Sequence, residues 1–192
     1  MSARATPELI NVARFVARSA VNGPEERFVI WVQGCGLRCP GCWNPDTFTF
    51  APRQLLGADE LFALIRSTPG ISGVTFTGGE PFAQAAALLP LARLIREAEM
   101  SLVVFTGYEL AELRSRAARA LLGEIDLLIS GRYVESERDL SLQLRGSANQ
   151  QLHFLTQRYG PQDLAPPAVE FHIDATGQIA VTGFPTDEMI PA

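Results

Sequence analysis

All three cysteines of the chain fall within eight residues, Cys35, Cys39 and Cys42, spaced C-x3-C-x2-C. The surrounding run, Gly34-Cys35-Gly36-Leu37-Arg38-Cys39-Pro40-Gly41-Cys42-Trp43-Asn44-Pro45, is too rich in glycine and proline for a regular helix or strand. A loop of that composition can bend three thiolates toward one point, and three soft anionic sulfurs together call for a metal or a cluster. Electron-transfer iron–sulfur sites usually cap every iron with a protein thiolate. A cubane held by three cysteines keeps one iron open to a further ligand, as a catalytic zinc keeps a position for substrate. The rival is a structural zinc completed by His153 or His172, but neither belongs to a short His/Cys pair of zinc-finger spacing. A disulfide is disfavoured, because an odd number of cysteines this close leaves one unpaired and strains the others.

The elements that must position this loop follow from hydrophobic pattern. The 192 residues, 47% hydrophobic and 19% charged, fit one soluble α/β core. A net charge of −5 gives no footprint for nucleic acid or anionic membrane. Arg114, Arg116 and Arg119 form the one local basic cluster and read as a solvated helix face. With no membrane-length apolar run and no signal-peptide pattern, the expected location is cytoplasmic, where thiols stay reduced. Residues 1–27 read as an N-terminal arm or a short strand, ended by the turn Asn22-Gly23-Pro24. Phe28 to Gln33 is a continuous apolar, β-branched and aromatic run, the mark of a buried parallel strand, so the cysteine loop starts at a strand's carboxyl end.

Further strands are expected over Gly73–Thr77, Ser101–Phe105, Ile125–Ile129 and Leu152–Leu155. Between them, a helix capped by Asp59 carries Leu61, Leu64 and Ile65. A second carries Leu88, Leu91, Leu94 and Ile95, with Pro90 tolerable only near its first turn. A third carries Leu110, Leu113, Ala117 and Leu121 and stops at Gly123. The repeating strand–helix order predicts a parallel sheet with crossover helices, a partial, open β/α barrel over residues 28–165. After Pro166-Pro167, residues 168–173 and 178–182 flank Asp174-Ala175-Thr176-Gly177 and predict a C-terminal β-hairpin extension (166–192), read as an edge cover ahead of a docking surface. The strand over 73–77 delivers a second glycine-rich loop, Gly78-Gly79-Glu80-Pro81, in which two glycines permit close backbone approach and Glu80 offers an acceptor for an ammonium group.

Cys35-x3-Cys39-x2-Cys42 followed by Trp43, together with Thr77-Gly78-Gly79-Glu80-Pro81, resembles the radical S-adenosylmethionine superfamily. The resemblance implies that the three cysteines hold a 4Fe-4S cluster whose open iron is chelated by S-adenosyl-L-methionine, which one electron cleaves to a 5′-deoxyadenosyl radical. It implies cofactor contacts from Gly41 and Trp43 near the adenine, from Gly78, Gly79 and Glu80 at the methionine end, and from Thr77, Thr106, Ser130 and Arg132. Five stretches narrow the likeness to the activating proteins of anaerobic (class III) ribonucleotide reductase: residues 34–47, 77–81, 105–108, 126–133 and Arg145-Gly146-Ser147-Ala148-Asn149-Gln150. The last run is the most discriminating. Such proteins are oxidoreductases that install a glycyl radical on a partner enzyme, with flavodoxin or ferredoxin as reductant. Two departures stand out: Ser130 occupies a position where an aspartate is usual, and the tail after Pro166-Pro167 is a further departure. The alternatives are an activase of the pyruvate formate-lyase type, a radical enzyme acting on a small molecule, and a non-catalytic zinc module.

Overall fold

The computed structural model describes residues 8–173, 177 and 179–186. Nine strands and three α-helices follow in the order β1 (Ile10–Ser19), β2 (Arg27–Val32), β3 (Gln54–Leu56), α1 (Ala58–Arg66), β4 (Gly73–Gly78), α2 (Ala85–Glu97), β5 (Ser101–Thr106), α3 (Arg116–Leu122), β6 (Leu127–Ser130), β7 (Gln151–Phe154), β8 (Val169–Ile173) and β9 (Ile179–Gly183) among the described residues. The first seven strands form one sheet in the order β3-β1-β2-β4-β5-β6-β7. Its middle, β2-β4-β5-β6, is parallel, as the alternation of strands and helices predicts; β1, β3 and β7 pair antiparallel.

Both faces of the parallel strands are buried. Phe28, Ile30, Val32, Phe76, Val104 and Leu128 face Leu61, Ile65, Leu88, Leu91, Ile95 and Leu121 of the helices. Their odd-numbered neighbours form the opposite face: Val103, Leu127 and Ile129 pack with Leu144 and Tyr159, and Val29 and Trp31 with Ala13. This second face carries the candidate site.

Several details differ from the pattern-based expectation. The choice between arm and strand before residue 27 falls to the strand, since β1 pairs with both β2 and β3. Gly57, not Asp59, caps α1. The third helix is broken: a 3-10 turn at Leu110–Glu112 precedes α3, because Ser115 caps a fresh start by accepting from the Ala118 amide. Pro90 sits in the second turn of α2, not the first. The hairpin β8–β9 forms its own two-stranded sheet and pairs with neither edge strand, β3 nor β7, so it does not cover an edge. It is anchored where β1 turns into β2: the Ala20 amide donates to Glu170 Oε1 and Asn22 Nδ2 to Thr182 Oγ1, both at 2.8 Å. Most of the expected turn at its tip, 174–176, and Gln178 lie outside the described residues. No helix among the described residues is long and apolar enough to cross a membrane.

Candidate active site

The cysteine loop leaves the carboxyl end of β2 and is closed at its base by backbone bonds, Gly34 N to Thr47 O at 2.8 Å and Cys35 N to Phe48 O at 3.3 Å. Buried Gln33 reinforces this closure by donating through Nε2 to the carbonyls of Asp46 and Thr49. From β1, Arg14 lies over the Trp31 ring at 4.7 Å and donates to Asn44 Oδ1 at 2.8 Å, holding the loop's return limb. Cys35 is buried, Cys39 and Cys42 are half-buried, and all three are free thiols lining one cavity of about 130 Å³. Burial pushes the Cys42 thiol up, and the neighbouring Cys39 and Cys35 push the same way. Three mutually repelling sulfurs fit a cationic group that caps them all. No three His, Cys, Asp or Glu side chains among the described residues are gathered tightly enough for a single ion. A cluster takes one thiolate on each of three irons, a donor set that three cysteines on one loop can supply. His153 and His172, weighed as the fourth ligand of a rival zinc, line neither this cavity nor its neighbour: His153 Nε2 is 2.8 Å from Ser130 Oγ, and His172 sits beside Glu170.

The Gly78-Gly79-Glu80 loop packs directly on the cysteine loop. Gly79 N donates to Val32 O at 2.8 Å and Glu80 N to Gly34 O at 2.9 Å. A Cβ on Gly79 would lie 2.5 Å from Gly34 O, and one on Gly78, whose φ is +93°, 2.7 Å from the Trp31 Cα. The two glycines therefore serve the contact between backbones as well as any approach to a ligand. Glu80 is buried. Its Oε1 accepts from the Phe82 amide at 2.9 Å and from Thr106 Oγ1 at 2.8 Å, and its Oε2 from the Gly107 amide at 2.9 Å. Burial raises its carboxyl to about 7 against these bonds. The side chain thus ties the ends of β4 and β5 together and keeps part of its acceptor capacity toward the cavity it lines.

The structure gathers Cys35, Cys39, Cys42, Thr77, Gly78, Gly79, Glu80 and Thr106 around this cavity. A second cavity of about 240 Å³ adjoins it, sharing Cys42, Thr77, Phe105, Tyr133 and Gln150 and adding Trp43. The Trp43 ring lies against Tyr133 at 6.1 Å and edge-on to Phe184 at 5.7 Å. Gly41, with φ +70°, leaves space that the Glu135 carboxylate fills. Ser130 and Arg132 line neither cavity. Ser130 is buried against His153. Arg132 makes two bonds to Glu112, at 2.8 and 2.9 Å, holding that carboxyl down at about 2.

The run from Arg145 to Gln150 is a brace. Gln150 accepts from the Gly146 amide and donates to Gly131 O, Asn149 donates to Arg132 O, and the Val134 amide donates to Ser147 Oγ. It fixes residues 131–134, which carry Tyr133. Phe105, Tyr133 and Gln150, which line both cavities, were signalled only as members of motif stretches. Arg14 and Phe184 gave no local signal, since their contacts join distant segments.

Residues 21–153 match the 4Fe-4S single cluster domain family. The chain is 32% identical over 155 residues to the anaerobic ribonucleoside-triphosphate reductase-activating protein of Vibrio cholerae, covering 77% of this chain and 99% of that one. It is 34% identical over 157 residues to its counterpart in Pasteurella multocida, with the same coverage. A shorter likeness, 42% over 94 residues, joins it to the pyruvate formate-lyase-activating enzyme of Clostridium pasteurianum, covering 46% of this chain and 40% of that one. The chain belongs to the 4Fe-4S single cluster domain family and to the family of anaerobic ribonucleoside-triphosphate reductase-activating proteins.

Proposed function

We propose that the chain is a radical S-adenosylmethionine activase that installs a glycyl radical on anaerobic ribonucleotide reductase. The observation that carries this reading is the shared cavity: three free thiols and the Gly78-Gly79-Glu80 loop, at the carboxyl ends of adjacent parallel strands, line the same space. Cys35, Cys39 and Cys42 would hold a 4Fe-4S cluster. When bound, the cluster and S-adenosyl-L-methionine supply an electron and a primary carbon radical able to take hydrogen from a glycine α-carbon. The chain's own residues position and enclose. Gly78 and Gly79 would bring backbone to the methionine end, where the Glu80 carboxylate would pair with the amine; Thr77 and Thr106 would flank them, and Gly41 and Trp43 would serve the adenosine end. Ser130, through His153, and Arg132, through Glu112, act by fixing the rim.

In this reading residues 28–165 are the catalytic core, β1 inserts between its strands β3 and β2, and the described part of 166–192 is an extension packed on it. The four parallel strands with their crossover helices are a partial β/α barrel, whose open side admits a loop of a protein substrate. The electron comes from a flavodoxin or ferredoxin, and the protein works in the cytoplasm. A second reading, activation of a pyruvate formate-lyase type enzyme, draws on the 94-residue likeness to such an activase; co-purification with either client decides between them. The reaction is tested by anaerobic reconstitution with iron and sulfide, then low-temperature EPR with and without S-adenosylmethionine, scoring 5′-deoxyadenosine in the same tube. A 4Fe-4S signal that shifts with the cofactor, with release of the nucleoside, is expected. Uptake of zinc, or a cluster signal that ignores the cofactor and yields no nucleoside, refutes the reading.

A further inference from the structure

The hairpin β8–β9 lies beyond residue 153, where the match to the family model ends. It nevertheless builds part of the site: Val181, Thr182, Gly183, Phe184 and Pro185 wall the larger cavity. Phe184 also meets Trp43, the residue next to Cys42. Pairing of Phe171 with Val181 and of Ile173 with Ile179 puts these four side chains on one face of the hairpin, because opposed residues share a face and alternate residues repeat it. The other face, with Glu170 and Thr182, is anchored on the turn between β1 and β2. Phe171, Ile173 and Ile179 are 54%, 69% and 52% exposed. An apolar strip thus starts at Val181 in the cavity wall and runs out along the hairpin. Ile179 lies two residues, roughly 7 Å, beyond Val181.

We propose that this strip is a docking surface for the protein that receives the radical, an assignment that rests on the activase reading. A contiguous exposed apolar patch marks an interaction surface, and two features say what covers this one. First, the strip is continuous through Val181 with the wall of the cavity, so the surface flanking whatever segment enters the cavity lies against it. Second, the one charged side chain among the described residues lining the larger cavity is Arg14, and its guanidinium is engaged by Asn44, Asp46 and the Trp31 ring. A phosphate- or carboxylate-bearing small molecule finds no free cation there, whereas a neutral glycine-bearing segment needs none. The hairpin adds an apolar shelf beside the entry, on which the partner's surface lies while its glycine segment enters the cavity.

The test uses the reconstituted full chain and purified anaerobic ribonucleoside-triphosphate reductase. In the triple variant Phe171→Ser, Ile173→Thr, Ile179→Thr, the apparent KM for the reductase is expected to rise roughly tenfold or more, because less apolar area is buried on docking. Its kcat for glycyl-radical formation, and 5′-deoxyadenosine release without reductase, stay as in the wild type. The conservative set Phe171→Leu, Ile173→Val, Ile179→Val restores the KM, which separates docking from folding. An unchanged KM in the triple variant overturns the proposal, as does gel filtration showing that the strip joins two copies of this chain and that the variant is monomeric. Absence of nucleoside release from the wild type overturns the activase reading and the docking assignment with it.

Discussion

Replacing Gly79 by alanine isolates the contact on which the site depends. Gly79 is not in the left-handed region, so alanine adds no backbone strain there; what it adds is a methyl group 2.5 Å from Gly34 O and 2.9 Å from Val32 O. Both atoms are backbone, in the strand and loop that carry the cysteines, and neither can swing away as a side chain could. Reaching ordinary contact at 3.4 Å requires the two loops to part by about 0.9 Å, the difference between 3.4 and 2.5 Å. Such overpacking costs about 1–3 kcal/mol. The same movement stretches the bonds from Gly79 N to Val32 O and Glu80 N to Gly34 O, now 2.8 and 2.9 Å, each worth about 1 kcal/mol net. A total of about 3–5 kcal/mol lowers Tm by roughly 6–20 °C for a chain of this size. The control is Gly36→Ala in the same cysteine loop, where an added Cβ meets nothing within 4 Å. Anaerobic urea denaturation of the apo forms, with iron content after reconstitution, reads both effects. Gly79→Ala should be destabilised and load iron poorly while Gly36→Ala matches the wild type. Equal midpoints for the two variants refute the claim that the glycines serve the packing of one loop on the other.

Because burial raises the Glu80 carboxyl to about 7 from an ordinary 4.5, the folded state binds its proton more tightly than the unfolded chain. The resulting stability is present below about pH 4.5 and is lost as pH rises through 7, a swing of roughly 3 kcal/mol. Urea midpoints at pH 5 and pH 8 should show this fall in the wild type and not in Glu80→Gln; parallel pH profiles refute it. Gln150→Ala removes the bonds to Gly131 O and the Gly146 amide. It should cost about 1–2 kcal/mol and speed hydrogen exchange at the Val134 amide, and unchanged exchange there refutes the brace. Fully buried Arg27 donates to Thr75, Ser101, Pro24 and Val74 beneath the sheet. Arg27→Met strands those acceptors and should cost about 3–5 kcal/mol, whereas a midpoint shift worth under about 1 kcal/mol refutes the network's importance.

What the sequence made legible follows from local physics. Parallel strands buried on both faces are unbroken apolar runs, so β2, β4, β5 and β6 could be read to within a residue or two of their ends. Strand β1 could not, because register shifts between Val12 and Arg14 and between Val16 and Ser19 break its alternation. The broken third helix was hidden because Leu110, Leu113, Ala117 and Leu121 keep a helical spacing across the interruption, and only the Ser115 cap marks the restart. The cavity residues were legible as motif members, but their division of labour was not. Glu80 reads in sequence as an open acceptor, while in the fold its carboxylate already holds Thr106 and Gly107. The bond to Thr106 spans 26 residues, and no local pattern encodes it.

The motif residues are informative for a reason other than their chemistry alone. The cysteine loop has few apolar side chains of its own to bury, so it cannot be held by a core. It is held by neighbouring chain segments: Gln33 across its base, Arg14 from β1 on its return limb, Gly79 and Glu80 from the adjacent strand end. Each of these contacts uses backbone or a polar side chain at close range, which is why the positions are glycine, amide or guanidinium and not leucine. Geometry for three thiolates is thereby imposed from outside the loop. A cluster bound there is sensitive to substitutions such as Gly79→Ala that touch no cysteine, and a substitution within the loop at Gly36, with no neighbour to disturb, is the more easily tolerated of the two.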